Sequence, residues 1–251
     1  MHKYGLKFWS TNKHYFEPTK KLLDTGLYQY VELYIVPGTY KKTINKWKSL
    51  KTGYVIHAPN YPKGLNLADK RSRIHNLKIM KEVIQFADAL KSKIIIVHPG
   101  TAGDIKETGR QIKTIKDKRI IVENKPYKSL YGGLVCNGSS PEEIKHVMTN
   151  AGIGFCLDIS HAICSANSHK EAPVKYIKKF IELRPKMFHM TDGKYSETID
   201  SHLHFGDGNF PIKKILRLIP KNSMITIEAA KDSKKNLNDC IRDMEYLRKI
   251  T

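Results

Sequence analysis

Cysteine is scarce in this chain: four residues in 251, Cys136, Cys156, Cys164 and Cys240, with no CxxC pair. That excludes a disulfide scaffold and a zinc ribbon, and leaves four thiols expected to be reduced and structural. Long apolar runs are missing as well. Nothing approaches the ~20 residues that span a bilayer, and the opening MHKYGLKFWSTNKHYF holds no apolar stretch of secretory length. No membrane association is expected, and the expected compartment is the cytoplasm. Low-complexity tracts, linkers and internal repeats are absent too, so a single domain over residues 1–251 is expected, at a length typical of an eight-fold βα barrel. Acidic residues are in short supply, 24 against 44 Lys and Arg, for a net charge of +20. Such an excess favours an anionic partner, nucleic acid or a phosphorylated substrate. It equally fits Lys-rich solvated helix faces, as in KYIKKF and PIKKIL.

What the chain does have is a rhythm. Short runs rich in Val, Ile and aromatics alternate with longer amphipathic stretches, the pattern of βα units on a parallel sheet. Eight strands are expected: Gly5 to Trp9, Tyr30 to Ile35, Gly53 to His57, Lys93 to His98, Arg119 to Glu123, Gly154 to Asp158, Lys186 to His189 and Met224 to Glu228. Eight helices are expected between and after them, near 16–25, 40–49, 70–90, 105–115, 141–151, 172–183, 211–218 and 237–250. The fold class is therefore α/β, a single (β/α)8 TIM barrel. In Ser139-Ser140-Pro141-Glu142-Glu143 a hydroxyl cap, a proline at the first helical position and two acids in the first turn mark one helix start.

Six consecutive strand runs end in a metal-capable side chain: YVIHAP at His57, IIIVHPG at His98, IIVENKP at Glu123, FCLDISH at Asp158 and His161, KMFHMTD at His189 and MITIEAA at Glu228. Any one of these alone reads as a hydrogen-bonded structural residue. Six together on strand ends read as one site, because the C-terminal face of a barrel is where these folds put their chemistry. Clustered unpaired carboxylates also demand cations. Imidazole and carboxylate without thiolate suit zinc, manganese or iron, and are too nitrogen-rich for a calcium or magnesium cage. Asp158 and His161 are expected in a turn after strand six. Asp200 and His202 are expected to share one side of an extended loop, with His204 a supporting residue at most.

The runs HAPNYPKGLNLA, VHPG, VEN, FCLDISHA, FHMTDGK, DSHLHFGDG and ITIEA resemble, in order and spacing, the endonuclease IV branch of the xylose isomerase-like TIM barrels, over about Tyr54 to Glu228. The resemblance implies up to three zinc ions: one held by His57, His98 and Glu123, a second by Glu123, Asp158, His189 and Glu228, and a third by His161, Asp200 and His202. It further implies hydrolysis of phosphodiesters in DNA at abasic sites, with Glu123 bridging two metals. The first fifty residues depart from that branch. YVELYIVPG, with Glu32 inside strand two, is closer to the sugar isomerases and epimerases of the same superfamily. In that alternative a single Mn2+, Co2+ or Mg2+ on Glu123, Asp158, His189 and Glu228 acts on a sugar or sugar phosphate, and Glu123 and Glu228 are the catalytic proton carriers. Tyr61 is expected to stack on a base or ribose, and Lys194 and Lys231 to contact phosphate. The oligomeric state is left open.

Overall fold

A computed structural model describes residues 2–130 and 133–250. Eight parallel strands, β1 (Lys3–Trp9), β2 (Tyr30–Tyr34), β3 (Gly53–His57), β4 (Ile95–Val97), β5 (Ile120–Glu123), β6 (Gly154–Asp158), β7 (Met187–Met190) and β8 (Met224–Ile227), pair in chain order, and β8 returns to β1 to close a barrel. Around it run α1 (Phe16–Asp24), α2 (Tyr40–Lys48), α3 (Arg73–Ala89), α4 (Ile105–Ile115), α5 (Pro141–Ala151), α6 (Ile159–Ser168), α7 (Pro173–Ile181), α8 (Ile212–Leu216) and α9 (Asn238–Ile250). The chain is thus the α/β, (β/α)8 TIM barrel expected. The four cysteines are free and buried, and no described helix is long and apolar enough to cross a membrane.

Nine α-helices among the described residues correct the expected eight. The additional one, α6, begins where a turn was expected. The Asp158 carboxylate accepts the His161 backbone N–H at 2.8 Å, so the last strand residue is itself the helix cap, and no Gly or Pro follows to separate strand from helix. The expected 70–90 helix also divides, into a 3₁₀ turn at Lys70–Ser72 and α3. At α5 the expected start is found. The Ser140 hydroxyl accepts the Glu143 N–H, and the Glu143 carboxylate accepts the Ser140 N–H, a reciprocal capping box.

Two apolar layers hold the barrel. The larger lies between strands and helices and includes Phe8, Leu33, Trp47, Phe86, Phe155, Phe180 and Phe188. The smaller fills the interior with one residue from each of six strands: Tyr30, Val55, Ile96, Ile121, Cys156 and Met187. Gly5 makes room for the Tyr30 ring, since a Cβ at Gly5 would lie 2.2 Å from it. The Tyr30 hydroxyl in turn hydrogen-bonds Thr226 at 2.9 Å across the barrel.

Candidate metal centre

Side chains alternate sides along a strand, so the residue two places after each interior residue also faces inward, one layer nearer the C-terminal mouth. Two places after Val55, Ile96, Ile121, Cys156 and Met187 stand His57, His98, Glu123, Asp158 and His189. The ligand-tipped strands are therefore the second interior layer of the barrel, laid on an apolar floor. The same count from Gly5 and Tyr30 gives Lys7 and Glu32, paired in register on β1 and β2. Neither was among the expected site residues. Period-two counting from the strand interiors was the signal that would have found them.

Glu123 sits at the centre. Its Oε2 lies 3.0 Å from His57 Nε2, 3.3 Å from His98 Nε2 and 3.5 Å from His189 Nδ1, and its Oε1 lies 3.2 Å from His161 Nδ1. His57, His98 and Glu123 thus form one compact donor triad, and His161, Asp200 and His202 form another. The remaining set gathers on His189 Nδ1, with Glu228 Oε1 at 2.6 Å, Glu123 at 3.5 Å and Asp158 Oδ2 at 3.9 Å. All nine residues expected as ligands are brought to one mouth. The structure adds that Asp158 also clusters with His161 and Glu123, and Glu228 with Glu32.

The imidazoles are aimed from behind. His57 Nδ1 bonds the Ala58 carbonyl at 2.7 Å, and His161 Nδ1 bonds the Asn124 carbonyl at 2.9 Å, leaving each Nε2 to face the cluster. His189 is turned the other way. Its Nε2 bonds Glu32 at 2.8 Å, and the same Glu32 oxygen accepts from Thr226 at 2.7 Å, so Nδ1 points at the carboxylates. A partner that fixes the tautomer and plane of each histidine is the usual support of a metal ligand.

Asp200 and His202 come from the β7–α8 connection, and the local reason is not the extended loop expected. The Asp200 carboxylate accepts the His202 N–H at 3.1 Å, and His202 takes φ +48°, which folds its ring back to within 3.3 Å of Asp200. His204 turns away onto Asp243 at 2.8 Å and Asp232 at 3.2 Å. Buried Asp192 holds the whole connection, accepting the backbone N–H groups of Gly193, Gly206, Gly208 and Phe210. A Cβ at Gly208 would meet the Gly193 carbonyl at 2.4 Å, so only glycine lets the chain approach this closely.

These donors suit divalent cations. Asp200 Oδ2 is buried and has no hydrogen-bond partner among the described residues, a condition proteins avoid unless something else satisfies the atom. The donor set is imidazole and carboxylate, the mixture that favours zinc and its neighbours. The electrostatics divide: against the effect of burial, Asp158 and Glu123 hold His161 above an ordinary histidine, and Cys156 with the Glu228, Glu32 and Glu123 carboxylates holds His189 well above one. Burial would raise the Glu123 carboxyl, but His98 and His189 outweigh it and hold its pKa well below the usual range. Burial, reinforced by Lys125, pushes His98 well below an ordinary histidine and so keeps its lone pair available. Asp158 is pushed up to about 6 by burial and by the nearby Asp200, Glu123 and Glu228 carboxylates, against the pull of His161. A bound cation would relieve that strain directly.

Two cavities open over the cluster. One, of about 390 Å³, runs from His57, His98 and Glu228 to Lys7, Trp9, Tyr34 and Lys231. The other, of about 240 Å³, lies between Tyr61 and Leu130 above Lys125, His161 and His202. Tyr61 and Lys231 therefore stand at the mouth, with the Lys231 ammonium resting on the Ala229 carbonyl at 2.8 Å. Lys194 is 67% exposed, pairs with Glu197 at 3.4 Å and lines neither cavity. Lys7 fills the gap between Glu228 and Glu32, touching both. Burial opposes its charge, yet Glu228, Glu32 and Glu123 more than compensate, so it stays protonated.

A family model described as xylose isomerase-like TIM barrel matches residues 20–250. An uncharacterised protein of Methanocaldococcus jannaschii is 24% identical over 235 residues, 86% of this chain and 75% of that protein. Among solved structures, a D-tagatose 3-epimerase-like protein superposes with a TM-score of 0.71 at 21% identity, covering 99% of this chain and 96% of the other. Endonuclease IV from Thermus thermophilus superposes with a TM-score of 0.72 at 16% identity, covering 98% and 99%. An epimerase-like protein and an endonuclease fit the backbone equally well, so the difference must be sought in the side chains at the mouth.

Proposed function

We propose, for a chain that belongs to the xylose isomerase-like TIM barrel family, the metal-dependent hydrolysis of DNA phosphodiesters at abasic sites, in the manner of endonuclease IV. The observation that carries this reading is the triad of His161, Asp200 and His202. A one-metal isomerase has no need of three further donors 3.3–3.5 Å apart, one of them a buried carboxylate oxygen with no hydrogen-bond partner among the described residues.

His57, His98 and Glu123 would hold one zinc, Glu123, Asp158, His189 and Glu228 a second, and His161, Asp200 and His202 a third. Ions held there would lower the pKa of water to near 7 and neutralise charge on the phosphoryl oxygens. The chain's own groups do the rest. Glu123 joins the donor sets: its Oε2 lies against His57 and His98 of the first and His189 of the second, while its Oε1 faces His161 of the third. Glu32 keeps His189 Nδ1 turned inward. Lys7, held between Glu32 and Glu228, and Lys125, 3.2 Å from His161, place fixed positive charge where a phosphate would enter. The net charge of +20 supports the sequence-independent, salt-sensitive part of DNA affinity.

The convergence of Glu123, Asp158 and Glu228 on His189 Nδ1 would by itself serve a sugar or sugar-phosphate isomerase, with the two glutamates moving the proton. Metal content decides between the two. Protein purified without chelator should carry close to three zinc ions, His202→Ala should carry two, and a duplex with one abasic site should be cleaved less as salt rises. One manganese, cobalt or magnesium ion per chain, with no cleavage, would sink the nuclease reading.

A further inference from the structure

The layer above Lys7 and Glu32 holds a feature that neither metal binding nor hydrolysis uses. Two places beyond Lys7 on β1 is Trp9, and two beyond Glu32 on β2 is Tyr34, paired in register. Trp9 is 47% exposed. Tyr34 is buried beside it, and an indole left open inside a cavity lined by polar donors, unlike a lone apolar side chain on open surface, points to a ligand. The indole is also held rather than loose. The Trp9 backbone N–H donates to Asn12 Oδ1 at 2.8 Å, and the ring packs against Tyr34 with centroids 5.6 Å apart at 32°. The Lys63 ammonium lies over the indole, 5.3 Å from its centroid. Trp9, Tyr34, His57 and Glu228 line the same cavity.

We propose that Trp9, backed by Tyr34, is a stacking platform for the nucleobase of a nucleotide flanking the abasic site, and that Lys63 moves off the indole to meet that nucleotide's phosphate. This rests on the nuclease reading and gives it a recognition element. An abasic nucleotide offers no base, so contacts to its neighbours must supply apolar binding energy, and every base has a face that an indole can accept without selecting sequence. The platform stands on β1, two residues from Lys7, so a stacked base is registered against the groups that hold the metals.

The chain's two tryptophans make the test direct. Trp47 is fully buried, with its Nε1 donating to the Ser10 carbonyl at 2.8 Å, so surface quenching reports on Trp9. Metal-loaded protein is titrated with a duplex carrying one abasic site and a phosphorothioate at the scissile linkage, following tryptophan emission and, separately, anisotropy of labelled DNA. The expected results are quenching on binding, about 5- to 150-fold weaker binding for Trp9→Ala, the span one base stack commands, and most of that loss recovered by Trp9→Phe. If Trp9→Ala binds within twofold of the parent while the parent still binds and cleaves, the platform is wrong and the nuclease reading stands. If a ketohexose quenches Trp9 and the duplex does not bind at all, both fall together.

Discussion

On the proposed reading, replacing Glu32 by Gln should loosen the metal position at His189 more than the other two. Glu32 Oε2 accepts from His189 Nε2 at 2.8 Å and from Thr226 at 2.7 Å, while Oε1 takes the Lys7 ammonium at 3.2 Å. The glutamine keeps the shape and one acceptor oxygen, but removes the charge and turns an amide N–H₂ toward a cation or toward His189. Losing a partner of this kind weakens metal binding typically about 10- to 100-fold, or roughly 1.4–2.7 kcal/mol. That range agrees with the drop of about 1 kcal/mol from a charge-assisted to a neutral hydrogen bond, plus the freedom His189 gains to turn its Nδ1 away. His57 and His161 are held by the Ala58 and Asn124 carbonyls instead, so their positions should weaken less than that of His189, by only what reaches them through the shared Glu123. Stepwise zinc competition against a chromophoric chelator reads the three affinities separately. Equal weakening at all three, or none at any, would refute the assignment of Glu32 as the group that aims His189. A fall in stability alone would show that the Glu32–His189 pair serves only the barrel.

Gly5→Ala should destabilise the barrel by about 1–3 kcal/mol in chemical denaturation, because its Cβ would fall 2.2 Å from a Tyr30 ring that the Thr226 hydrogen bond prevents from swinging aside; Tyr30→Val in the same chain should restore most of the loss, and no recovery would show the clash lies elsewhere. Glu107 is held at a pKa of about 2, against an ordinary 4.5, by Arg73 first, with Arg110 and Gln111 adding to it against the effect of burial. A depressed carboxylate stabilises the fold above its unfolded value and loses that contribution as pH falls, so the stability gap between parent and Glu107→Gln should be full above pH 4.5 and vanish towards pH 2; a gap that does not change with pH would refute it.

How far the sequence carried depended on where the information lay. Strand-end ligands were legible because each follows an apolar run in its own segment, β-branched before His57, His98 and Glu123, so they needed no knowledge of a partner. Lys7 and Glu32 were hidden by their position inside strands. A charged residue in the middle of GLKFW or YVELY reads as an outward-facing solvated group until the barrel closes and the partner, some 157 residues away in the case of His189, comes into contact. The start of α6 was missed for a related reason. Asp158 is at once the end of a strand, a helix cap and an expected ligand, and the composition of that segment signals only one of these. The positions of Asp200 and His202 depended on a positive φ at a histidine and on Asp192 binding four amides at once, neither of which spacing can reveal.

The distribution of charge is what ties the site to the surface. A chain with only 24 acidic residues brings five of them, Glu32, Glu123, Asp158, Asp200 and Glu228, into one barrel mouth. Packing does not require this, because the apolar floor of Tyr30, Val55, Ile96, Ile121, Cys156 and Met187 already fills the interior beneath. Five carboxylates in a half-buried mouth would repel one another and any phosphate that the basic surface attracts. Lys7 offsets part of that charge through Glu32 and Glu228, but Glu123, Asp158 and Asp200 face mainly imidazoles that are needed neutral as ligands. Divalent ions therefore have two roles on the proposed reading. They supply the reactive chemistry, and they reverse the sign of the mouth, so that a polyanion drawn in by scattered lysines meets positive charge at the centre.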